Sequence, residues 1–132
     1  MLDQRVQIEV ERGGTRASVR KGVSAYEVAG VVRAFKGEPD VTLIISREDT
    51  DERLLIAVSG AKAFVGLDNG LDAVFQFVAR GKHVGGTQRL VIGGQGTDID
   101  SVYVLCVDEA ASVADEWLKG GSQSSLGVWE RK

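Results

Sequence analysis

Short apolar-rich runs, each closed by glycine or by a cluster of polar residues, fill most of this chain. RVQIEVER and TRASVR alternate apolar and polar side chains on either side of Gly13-Gly14, the pattern of two strands joined by a tight turn. VTLIISRE, ERLLIAVSG, AKAFVGL and AVFQFVAR follow, with EDTDE and the hairpin signal Asn69-Gly70 among their connections. AVFQFVAR also fits a helix, and the strand is the reading adopted. After the turn GKHVGG come a short strand, QRLVIGG, a loop, QGTDID, and a strand, SVYVLCV, that is apolar on both faces at its middle. A parallel crossover needs roughly a dozen residues or more, so connections this short imply antiparallel pairing of successive strands.

Two segments break the strand pattern. Ser24 stands three residues before Glu27, the spacing of a capping box, and Ala25, Val28, Val32 and Phe35 then share one helical face. A helix over about 25–36 is expected, ended by Gly37 and Pro39. Near the C-terminus Asp108 can cap a helix over about 109–119 whose buried stripe is Ala110, Val113, Ala114, Trp117 and Leu118. Gly120-Gly121 stops it, and a final strand over about 125–131 sets Leu126 and Val128 on one face and Gly127 and Trp129 on the other. The expected fold is therefore α+β: a single mostly antiparallel β-sheet with two packed helices, opened by an N-terminal hairpin over about 3–20.

A length of 132 residues suits one domain with a sizeable core, so residues 1–132 are read as one unit. With 43% apolar and 27% charged residues the composition is that of a globular protein, and no apolar run approaches the ~20 residues of a membrane span. Charges near the N-terminus, in MLDQRVQIEVERGG, occupy the place of a signal peptide's apolar core, which points to a cytoplasmic protein. Cys106, the only cysteine, lies in an apolar run and reads as a buried structural thiol. With His83 as the only histidine, neither nucleophilic catalysis nor a zinc site has the residues it needs.

The net charge is a mild −3, but the carboxylates cluster in EDTDE, LDNGLD, TDID and DEAASVADE. Such rims repel phosphate backbones and attract a basic protein surface, which argues against direct nucleic-acid binding. VIGGQGTD has glycines after a strand but lacks both the dinucleotide spacing and the Gly-Lys-Ser/Thr of a phosphate loop. Asp49 with Asp51, or Asp98 with Asp100, could act as an acid–base pair or hold a cation, yet charged turns are the commoner meaning of such pairs. No catalytic, cofactor-binding or metal-binding residue is assigned. Asp49, Asp51, Glu52, Asp68, Asp72, Asp98 and Asp100 are the candidate partner-facing residues, with Trp129 a candidate anchor and Trp117 a core residue.

The strand pair carrying ERLLIAVSGAKAFVGL, a glycine-rich connection, the helix DEAASVADEWLKGG and a last strand ending LGVWE together resemble the Imm1-type immunity proteins of bacterial polymorphic toxin systems. The resemblance covers about residues 24–130 and rests on hydrophobic pattern with glycine and tryptophan positions, without a catalytic signature. It implies a cytoplasmic protein that binds a cognate toxin domain and blocks its active site or substrate entry; the acidic loops suit the basic surface of a nuclease or nucleic-acid deaminase, and the missing catalytic constellation suits an inhibitor that is not an enzyme. Two other readings compete. One is a small-ligand-binding or sensory α+β domain using backbone around Gly85-Gly86 and Gly93–Gly96; the other is an assembly subunit pairing through an exposed strand edge, with the terminal strand as the candidate.

Overall fold

The computed structural model describes residues 5–71, 73–79, 85–120 and 126–131. The chain begins with an antiparallel hairpin, β1 (Arg5–Arg12) and β2 (Thr15–Ser24). A 3₁₀ turn (Ala25–Glu27) leads into α1 (Val28–Ala34). Then come β3 (Val41–Arg47), β4 (Arg53–Ser59), β5 (Lys62–Asp68) and β6 (Val74–Ala79). A hairpin of β7 (Thr87–Ile92) and β8 (Gln95–Asp100), a short β9 (Val104–Cys106), α2 (Val107–Gly120) and β10 (Gly127–Arg131) complete the chain.

The main sheet is antiparallel with strand order β10-β6-β5-β4-β3-β1-β2, and β9 pairs with the first half of β5. The α+β, mostly antiparallel expectation is met, and β7 and β8 form a second, two-stranded sheet beside the main one. Alternation within the strands sorts side chains to two faces. Val6, Ile8, Val10, Leu43, Ile45, Leu54, Ile56, Val65 and Phe77 point to one of them and form the core with Val28 and Val32 of α1 and the α2 stripe around Trp117. Both helices therefore lie on this inner face, tied to each other by Asp108, which pairs with Arg33 at 3.5 Å and with Lys36 at 3.2 Å.

The outer face is covered at one end only. Gly93 and Gly94 have φ of 62° and 82°, the two positive values of a type I′ turn, and they close β7 onto β8. That tip abuts the β1–β2 turn so closely that a Cβ on Gly14 would lie 2.9 Å from the Gly93 carbonyl oxygen. The Asp40 carboxylate accepts from the Gly93 and Gly94 N–H groups at 3.1 and 2.7 Å, and the Val91 N–H donates to Ser59 Oγ at 3.1 Å. Leu90 is wholly buried there, outside the main core, and the outward-facing Ala57 and Thr42 are buried at the same end. The β7–β8 hairpin thus roofs the outer face where β3 begins and β4 ends.

Several local expectations change. QGTDID is strand β8 rather than a loop: its single apolar residue, Ile99, conceals the alternation, and the glycine pair before it supplies the turn. Ser24 is buried and makes no capping bond to α1, because the 3₁₀ turn displaces the α-helical start to Val28. SVYVLCV contributes only three strand residues, after a 3₁₀ turn at Ser101–Tyr103. α2 begins at Val107, two positions before the expected start. Cys106 takes the capping role: the Glu109 N–H donates to its Sγ at 3.4 Å and the Cys106 N–H donates to Glu109 Oε1 at 2.9 Å. Its thiol is exposed, not buried, because a residue at a helix entrance faces outward even when its neighbours are apolar. β2 is exposed along nearly its whole length and carries Arg16, Arg20 and Lys21, the charged side chains that guard a free strand edge.

Candidate partner-binding surface

The β3–β4 turn contains Glu48, Asp49, Thr50, Asp51 and Glu52. Thr50 Oγ1 accepts from the Glu52 N–H at 3.2 Å and shapes the turn from within. The neighbouring β5–β6 loop is built by Asn69, whose N–H donates to the Ala73 carbonyl at 3.1 Å while its Oδ1 accepts from Leu71 and Ala73 at 2.9 and 3.2 Å. Asp68 Oδ1 accepts from the Gly70 N–H at 2.8 Å.

Gly70 joins the two turns. Its φ is 78°, and a Cβ there would collide with the Asp51 backbone and side chain. The fold therefore brings four of the candidate residues, Asp49, Asp51, Glu52 and Asp68, to one end of the sheet. Asp68 is paired with Arg53, its partner across the β4–β5 ladder, at 3.4 Å. Among the described residues, Glu48, Asp49, Asp51 and Glu52 have no ion-pair partner. Asp72 lies outside the described residues, as does His83.

Asp98 and Asp100 do not join this group. Both lie on β8, in the hairpin anchored at the other end of β3 and β4. Asp98 faces Arg89 across the ladder at 3.6 Å, an exposed pair of small energetic weight. Asp100 lies beside Tyr103, whose hydroxyl donates to Glu130 on β10. That hydrogen bond, then burial, then the charges of Glu130 and Asp100 favour the neutral phenol and raise the Tyr103 pKa above its ordinary value.

Trp129 is turned to the helix-covered face. It is half-buried against the core and meets the Phe77 ring edge to face, with centroids 5.0 Å apart and planes at 75°. Its ring is used in packing, and the outer face of the same strand shows Val128 instead. Trp117 is buried in the core, with the Arg47 guanidinium 4.2 Å from its ring centre.

Part of this surface escapes a search for carboxylates. Between the acidic turns and the hairpin roof the outer face is open, and Ile44, Leu55, Phe64, Gly66 and Val74 line a shallow cleft of about 390 Å³ with the Arg53–Asp68 pair at its rim. The signal was present in VTLIISR and RLLIAVS, where apolar residues run on without alternation: such strands are apolar on both faces, and the helices cover only one.

Among the described residues no group of three or more His, Cys, Asp or Glu is placed to hold a metal ion. No helix of the described chain is long and apolar enough to cross a membrane. The Gly93 and Gly94 amides suggested for a small ligand are engaged by Asp40. No protein-family model and no curated protein matches the chain.

Proposed function

We propose that this chain is an immunity protein, a binding partner that occupies a basic toxin domain, such as a nuclease or nucleic-acid deaminase, and blocks its active site without performing chemistry itself. The observation that carries the reading is the junction of the two acidic turns through Gly70 and Asp51, which gathers Asp49, Asp51, Glu52 and Asp68 at one end of the sheet. Asp68 is balanced by Arg53, while Asp49, Asp51 and Glu52 have no ion-pair partner among the described residues, and such carboxylates are complementary to a cationic protein surface. Carboxylates of this kind steer encounter and select partners more than they add raw affinity. The hydrophobic pattern shared with Imm1-type immunity proteins points the same way.

Mixing the purified chain with the toxin domain encoded beside it tests the reading. A 1:1 complex by sedimentation with loss of toxin activity is expected; two components that sediment separately, with activity intact, refute it.

A further inference from the structure

Gly66 lies in the middle of β5, where nothing about the backbone demands glycine. It is not among the glycines of positive φ, and a Cβ placed on it would meet only Phe64 Cε1 and the Phe75 carbonyl oxygen, each at an ordinary 3.6 Å. Glycine inside a strand weakens it and often marks a bulge, a bend or a place that a ligand or backbone approaches, and the β4–β5 and β5–β6 registers run through Gly66 without a shift. Here its missing side chain leaves the floor of the outer-face cleft open. Ile44, Leu55 and Phe64 are half-buried around it, and Val74 on the wall is 46% exposed.

One rim of the cleft is electrostatically marked. Arg53 and Asp68 neutralise each other there, and immediately beyond them the 48–52 turn holds carboxylates that form no ion pair among the described residues. An apolar pit beside unpaired negative charge fits an apolar side chain carried by a positively charged segment.

We propose that the cleft over Gly66 receives one aromatic or long aliphatic side chain from the partner protein, flanked there by arginine or lysine residues that meet the 48–52 turn. This rests on the reading of the chain as an inhibitor of a basic toxin and names the contact that anchors the complex. Binding energy at protein interfaces concentrates in such anchors, seated in pockets and ringed by nearly neutral contacts. The charges then bring the anchor to the pit, and its burial slows departure.

The test selects short cyclic peptides of random sequence, displayed on phage, against the whole chain. Enriched peptides should place Trp, Phe, Tyr or Leu beside Arg or Lys, and synthetic copies should bind less tightly as salt rises above about 0.15 M. Gly66→Leu, which fills the floor, and Val74→Arg, which sets a cation on the wall, should each weaken binding about tenfold or more. Val74→Arg alters an exposed side chain, so it keeps the test decisive if Gly66→Leu does not fold. No enrichment, acidic peptides, uncharged peptides that bind as an ordinary apolar ligand would, or indifference to both variants would overturn the proposal. Cationic peptides that behave as expected without a toxin complex remove the immunity reading and keep the cleft. A toxin complex insensitive to both variants does the reverse.

Discussion

Gly70 and Gly66 stand four positions apart and serve opposite ends. Gly70 has a φ of 78° and no room for a Cβ beside Asp51, so Gly70→Ala is expected to cost about 1–3 kcal/mol in a denaturant titration and to separate the two acidic turns. Gly66→Ala should be neutral or should stabilise by about 0.5–1 kcal/mol, since alanine is better tolerated than glycine within a strand and the space is free. Tyr103 makes a prediction about pH. Its pKa is raised in the folded chain, so its contribution to stability is complete below the unfolded value of about 10 and is lost as pH rises through the folded value. Phenolate absorbance in a Tyr26→Phe background should show a midpoint above about 10, and Glu130→Gln should bring it down toward that value.

At the level of elements, α2 and the β7–β8 hairpin are held in different ways. α2 depends on apolar burial: Trp117 is 1% exposed, and Trp117→Ala should cost about 3–5 kcal/mol in thermal or chemical unfolding. Arg47 lies over the same ring and donates to the Trp117 carbonyl, placing a cation at the negative end of the helix. The hairpin depends instead on polar anchors. Asp40→Ala removes the carboxylate that holds Gly93 and Gly94, so their amides should exchange with solvent markedly faster while exchange in β4 stays slow. This difference explains what could be read in advance. β2 and β7 are legible from alternation beside glycine turns, while β1, β3 to β6 and both helices announce themselves through apolar periodicity, because burial against one core is what formed them. β8 does not, since its residues answer to a glycine turn and to one buried neighbour, Leu90. Cys106 misleads because apolar neighbours say nothing of the helix entrance it occupies. The acidic half of the candidate surface was legible as carboxylate-rich turns. That Asp98 and Asp100 stand apart from it, and that Trp129 packs inward, depend on strand order, which pattern alone does not supply.

For the molecule as a whole, a modest net charge of −3 conceals a polar distribution, with carboxylates at the turn end of the sheet and Arg16, Arg20 and Lys21 along the free edge of β2. Converting Asp49, Asp51 and Glu52 together to their amides should slow association with a basic partner about tenfold and leave dissociation little changed, as stopped-flow mixing would show. The basic edge has its own consequence: Arg20 and Lys21 oppose pairing of two copies through β2, so Arg20→Thr with Lys21→Thr is expected to raise self-association in sedimentation. Both helices and nearly all of the core lie on the inner face, while the open half of the outer face supports no part of the fold beyond itself. Such a division lets specificity drift independently of folding. On the proposed reading as an inhibitor, substitutions in the 48–52 turn or around Gly66 retune which partner is recognised while the scaffold beneath is inherited unaltered.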